Sequence, residues 1–155
     1  RTLKKDGKSN YVRFNLSSVY NGLGRNAEAI TLLKEVAEID PKNGRTYYNL
    51  GLLYYEEQQK EEALLSFEKA LKLGYNRPEV YYNYGLLLQQ LGKDKQAESL
   101  LLRGYQKFPA AENLNYALAY FYLQKGNKAA AFKHINFLRQ LAPNNPKYTD
   151  LFGIM

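Results

Sequence analysis

Apolar side chains recur along this chain at the three- and four-residue spacing that keeps them on one face of a helix, as in Tyr47, Leu50 and Tyr54 or Leu118 and Tyr122. The pattern also repeats at a longer period. Tyr47-x2-Leu50-Gly51-x2-Tyr54 aligns with Tyr81-x2-Tyr84-Gly85-x2-Leu88 at an offset of 34 residues. The same offset gives Arg13-x2-Leu16-Ser17-x2-Tyr20 upstream and Asn115-x2-Leu118-Ala119-x2-Tyr122 downstream. In the second half of each unit Ala29, Ala63, Ala97 and Ala131 fall in register. Leu33, Phe67, Leu101 and Ile135 follow four residues later.

Each unit therefore reads as two helices joined by a reversal. The small residues Ser17, Gly51, Gly85 and Ala119 let a neighbouring helix approach the first, and the alanines do the same on the second. Gly24, Gly92 and Gly126 stand where the first helix must stop, a place suited to glycine's tolerance of positive φ. The second unit has Gln58-Gln59 there, so its turn is expected to be tighter or strained. Pro41, Pro109 and Pro143 close the units after the second helix, with Tyr75 as the departure. A hairpin of this kind cannot bury its apolar faces alone and must stack on its neighbours.

The pattern resembles the tetratricopeptide repeat, whose period is 34 and whose signature is Trp-x2-Leu-Gly-x2-Tyr, then Ala-x3-Phe, then Pro. The unit 44–77 fits best, with Tyr47 in place of the tryptophan. The resemblance implies an all-α fold, a right-handed α-solenoid of stacked antiparallel helical hairpins. It divides the chain into repeats at 10–43, 44–77, 78–111 and 112–145. A partial fifth repeat or capping helix is expected at 146–155, and the end of a preceding repeat or a linker at 1–9, where Leu3 and Asp6 match the register. With Arg rather than Met at its start, the chain is expected to be a segment of a larger protein.

In such repeats the first helices line a concave groove, and the resemblance assigns its lining by position. Fifth positions are Phe14, Tyr48, Tyr82 and Tyr116, an unbroken aromatic row. Sixth positions are Asn15, Asn49, Asn83 and then Ala117. Ninth and twelfth positions add Leu52, Leu86, Tyr120, Tyr55 and Gln89, with Ser18, Asn21 and Leu123. Asparagine offers donors and acceptors to a peptide backbone, and tyrosine offers apolar area with a hydroxyl. The competing reading is that Tyr and Asn here serve only packing between adjacent first helices. Repeats that clamp the acidic carboxyl terminus of heat-shock chaperones carry Lys at the fifth and Asn at the ninth position. They also carry Lys and Arg at the second and sixth positions of a later unit. Here the fifth positions are aromatic, no ninth position is Asn and Arg45 is the only cation at a second position, so that clamp is absent.

Composition narrows the function further. Of the 155 residues 15 are tyrosine, and all but Tyr75 and Tyr105 fall on the first-helix segments. The net charge of +7 gathers towards the two ends, +4 in 1–13 and +3 in 112–145, without a cationic stripe along the middle. A nucleic-acid partner is therefore not expected, RNA being the weaker alternative. No apolar run approaches the length of a bilayer span, so membrane insertion is not expected. Without cysteine, thiolate chemistry and Cys-ligated metals are excluded, and either cytoplasm or periplasm suits a soluble chain. No catalytic set, phosphate loop or metal spacing is visible, so neither enzyme activity nor a cofactor is expected. The single histidine, His134, reads as a partly exposed helix residue beside inward-facing Ile135. The expected partner is a peptide or helix of another protein. The alternative is a structural, self-assembling role, through end-to-end stacking at the apolar terminus Leu151, Phe152, Ile154 and Met155.

Overall fold

The computed structural model describes residues 7–154, apart from the side chains of Phe152 and Ile154. The expected segment at 1–9 lies outside the described residues as far as Asp6, Leu3 included, and so does Met155. Nine helices and no strands occur among the described residues: α1 (Gly7–Gly22), α2 (Asn26–Ile39), α3 (Gly44–Glu56), α4 (Lys60–Lys72), α5 (Pro78–Gln90), α6 (Asp94–Lys107), α7 (Glu112–Gln124), α8 (Lys128–Leu141) and α9 (Pro146–Ile154). They fall into two compact units that divide between Asn76 and Arg77.

The first unit holds the hairpins α1/α2 and α3/α4, with α2 packed on α3. Its core is Ala29, Leu33 and Val36 of α2, Leu50, Leu53 and Tyr54 of α3, and Ala63, Phe67 and Ala70 of α4. The glycine of the repeat has a steric job. A Cβ on Gly51 would stand 2.6 Å from two ring carbons of Phe67, so α3 and α4 reach their separation only because that atom is missing. The second unit repeats the device with a different partner. There α5 pairs with α6 and α7 with α8, while α6 packs on α7 and α9 on α8. A Cβ on Gly85 would lie 2.5 Å from Leu101 Cδ2. The alanines Ala97 and Ala131 and the residues four further on, Leu101 and Ile135, are fully buried.

The hairpin turns use one conformation. Gly24, Gly92 and Gly126 have φ of 72°, 71° and 72°. The residue after each donates its N–H five residues back, Arg25 to Tyr20, Lys93 to Leu88 and Asn127 to Tyr122, closing the helix end. Gln58 takes the same role with φ 60°, and Gln59 N–H bonds the Tyr54 carbonyl at 2.8 Å. The turn the sequence marked as strained is thus a left-handed residue with a side chain.

The second helices end by two routes. Asp40, Phe108 and Ala142 sit before prolines at φ of −129°, −132° and −144°, as the ring's clash with the preceding residue requires. At the fourth helix Gly74 (φ 83°) terminates instead, with Tyr75 N–H on the Ala70 carbonyl. Tyr75, no longer needing to be proline, places its ring 5.7 Å from that of Tyr48.

His134 is not partly exposed. It is fully buried, against the expectation from sequence. The cause lies across the hairpin, where Asn115 occupies the register position of Tyr47 and Tyr81. Its short amide donates to the carbonyls of Pro109 and Ala111, each at 2.9 Å, and its Oδ1 meets His134 Nδ1 at 2.9 Å. With the amide nitrogen committed to carbonyls, Oδ1 is the acceptor and Nδ1 carries the proton. Nε2 is left buried without a partner.

Candidate functional site

None of the twelve residues assigned to the groove is buried, although their helix neighbours form the core. In the first unit Phe14 and Asn15 line a cleft of about 470 Å³ with Asn10, Tyr11, Asn43 and Arg45. The Arg45 guanidinium lies 4.5 Å from the Phe14 ring centroid. Asn49 and Leu52 line a smaller cleft of about 100 Å³ with Ser18, Asn21 and Glu56. Asn21 Nδ2 donates to Glu56 Oε2 at 2.8 Å, which ties α1 to α3 at the edge of this cleft. Tyr48 lies against Phe67 and Tyr75, with ring centroids at 5.9 and 5.7 Å, so part of its face serves its own hairpin. Asn49 is also partly used, since its Nδ2 donates to the Arg45 carbonyl at 2.8 Å. Tyr55 is half-buried on α3.

The second unit brings two row residues together. Tyr82 of α5 and Tyr116 of α7 line one cleft of about 390 Å³ with Pro78, Glu79, Glu112, Asn113, Lys147 and Tyr148. Tyr116 stacks nearly parallel to Tyr120 at 6.3 Å and tilts against Tyr148 at 6.3 Å. The Lys147 ammonium sits 3.8 Å from the Tyr116 centroid. Buried Tyr148 donates its hydroxyl to the Glu112 carboxylate, which ties α9 to the start of α7. Asn83, Leu86 and Gln89 are half-buried on α5.

Sequence reasoning missed Lys147, Tyr148, Glu79 and Glu112 as members of this cleft. Register offered a signal for Tyr148, which lies 34 residues after Leu114, a buried core position of α7. It offered none for the tyrosine–carboxylate pairing. Of the terminal apolar residues, Leu151 is buried within its unit, and the side chains of Phe152, Ile154 and Met155 lie outside the described residues.

Two side chains near α7 and α8 titrate abnormally. Burial pushes the His134 imidazole down to about 4, and the Lys133 ammonium adds to this. Burial and a 2.9 Å bond to Glu98 push the Tyr122 phenol up to about 12. The rings of Tyr105 (4.9 Å, edge-on) and Tyr122 (6.3 Å, stacked) enclose the imidazole. Among the described residues no three His, Asp or Glu side chains gather to hold a metal ion. No described helix is long and apolar enough to cross a membrane.

Three family models match the chain: a TPR repeat model over 18–58, and tetratricopeptide repeat models over 44–73 and 78–106. Together they cover more than half of it. The chain belongs to the tetratricopeptide repeat family. Solved structures agree on the fold, an all-α array of the α-solenoid class. A tetratricopeptide repeat protein from Parabacteroides merdae ATCC 43184 is similar with a TM-score of 0.87 at 20% identity, over 96% of this chain and 59% of that one. MamA from Desulfovibrio magneticus RS-1, residue 41 to its end, is similar with a TM-score of 0.82 at 23% identity, over 96% and 84%. YrrB, a tetratricopeptide repeat protein with an unusual peptide-binding site, is similar with a TM-score of 0.75 at 16% identity, over 97% and 91%. No curated protein matches in sequence. At these identities the likeness is one of fold, and the chain spans about three fifths of the Parabacteroides merdae protein's length.

Proposed function

We propose that this chain is a protein-interaction module that holds a peptide or helix of a partner on the faces of its first helices. The observation that carries the reading is that none of the aromatic and asparagine positions is buried, on helices whose neighbouring residues form the core. Phe14, Tyr48, Tyr82 and Tyr116 are each half-buried, a placement in which a ring can touch its own unit and a partner together, as an interface anchor needs. The tetratricopeptide fold and the peptide-binding site of the similar protein YrrB support it. The amide of Asn49 commits one N–H to its own helix, so its contribution to a bound backbone is its second N–H and its oxygen. The repeats at 10–43 and 44–77 would supply α1 and α3 to the surface of the first unit, and those at 78–111 and 112–145 would supply α5 and α7 to that of the second.

The double variant Tyr48→Ala with Tyr82→Ala tests the reading. A partner isolated with the unaltered chain should bind the variant at least tenfold more weakly, as loss of two aromatic anchors implies. Circular dichroism is the control for folding, because Tyr48 also packs on Phe67. Unchanged affinity in a folded variant would refute the groove.

A further inference from the structure

The cleft between α5, α7 and α9 is charged against the trend of its own unit. Residues 77–155 contain ten Lys and Arg but only five Asp and Glu. Two of those five carboxylates, Glu79 and Glu112, line this cleft. Two others are engaged elsewhere, Asp94 with Lys125 and Glu98 with the Tyr122 hydroxyl. Tyr82, Tyr116 and Tyr148 line it too, and the negative quadrupole of a tyrosine face attracts cations. One cation of the chain already shows where such a group settles, since Lys147 Nζ lies 3.8 Å from the centre of the Tyr116 ring.

We propose that this cleft recognises a cationic side chain, Lys or Arg, of the partner peptide, and that Lys147 is a built-in competitor for the same tyrosine face. The inference rests on the reading of the first-helix faces as the binding surface and adds the chemistry of the ligand. The charge pattern selects against an acidic peptide, which would meet Glu79 and Glu112, and a purely apolar segment would leave Glu79 unanswered. A volume of about 390 Å³ admits an arginine with its aliphatic stem. Glu112 is half committed, since it accepts from Tyr148, so Glu79 is the carboxylate that a bound cation would engage. Lys147 is exposed at the start of a short terminal helix and can swing off the ring without disturbing the core.

The test uses the whole chain and two probes, the peptides acetyl-Ala-Arg-Ala-amide and acetyl-Ala-citrulline-Ala-amide, followed by NMR shifts of the Tyr82 and Tyr116 rings. Citrulline keeps the shape of arginine and removes its charge. The arginine peptide should shift both rings and bind at least fivefold more tightly than the citrulline peptide. Lys147→Gln should raise its affinity about threefold or more, and Glu79→Gln should lower it by a similar factor. Equal binding of the two peptides would overturn the cationic preference while leaving the binding surface intact. Tighter binding of arginine with no response to either variant would overturn the assignment to this cleft. The absence of any ring shift from either peptide would also overturn the proposal, and the Tyr48 and Tyr82 double variant would then decide whether the wider reading falls with it.

Discussion

Gln58 holds a left-handed conformation that three glycines hold at the equivalent turns, and it does so with a Cβ. A residue with a side chain in that region carries about 1–2 kcal/mol of strain. Gln58→Gly should therefore raise stability by about 0.5–1 kcal/mol, the strain relief less the extra freedom of glycine in the unfolded chain. Urea unfolding would read this as a higher midpoint at unchanged slope. Gly51 obeys the opposite logic. Alanine is the better helix former, yet its Cβ would stand 2.6 Å from the buried Phe67 ring. Gly51→Ala should thus cost about 1–3 kcal/mol by overpacking. The turn was legible in the sequence because a missing glycine is visible in a register of glycines. The need for a small residue at Gly51 was equally legible, whereas the ring behind it, Phe67, was placed in register without its partner. The burial of His134 was not, because its cause is a hydrogen bond to Asn115, 19 residues away on another helix.

At the scale of helices, the same register position experiences two environments. Leu50 of α3 is 5% exposed beneath α2, whereas Leu16, its equivalent on α1, is 39% exposed, in line with exposed Val12 and Val19. Leu50→Ala should cost about 2–4 kcal/mol and Leu16→Ala less than about 1 kcal/mol, measured by denaturant unfolding. Periodicity gives both residues the same inward assignment. Only the presence of a packed neighbour distinguishes them.

The α7/α8 hairpin should also respond to pH. An unfolded imidazole titrates near its ordinary 6.5 and buried His134 near 4, so between these values the unfolded chain binds the extra proton. The contribution is complete above about 6.5 and is lost as pH falls towards 4. Between about pH 7.5 and about pH 5.5 the loss should be about 1 kcal/mol. His134→Gln should remove that slope whatever its effect on the absolute stability. An equal slope in both proteins would assign the pH dependence to other groups.

Across the whole molecule, the proposed function rests on what the repeats leave unburied, not on what they bury. The fold was legible because a 34-residue period with in-register alanines, glycines and prolines has few physical solutions. Of the proposed surface, the sequence yielded a set of positions that are unburied, and no more. Which of them share a cleft depends on side chains from other helices, such as Lys147 and Tyr148 beside Tyr116. The net charge of +7 proved a poor guide, since the local field at that cleft has carboxylates where the unit around it is basic. The central claim is that a partner lies on the first helices. NMR footprinting of an isotope-labelled chain, free and bound to its partner, tests it most directly. The account predicts that the largest shifts fall on Tyr48, Asn49, Leu52, Tyr82 and Tyr116. A footprint confined to the second helices, at exposed Leu65 of α4 and Phe132 of α8, would contradict it.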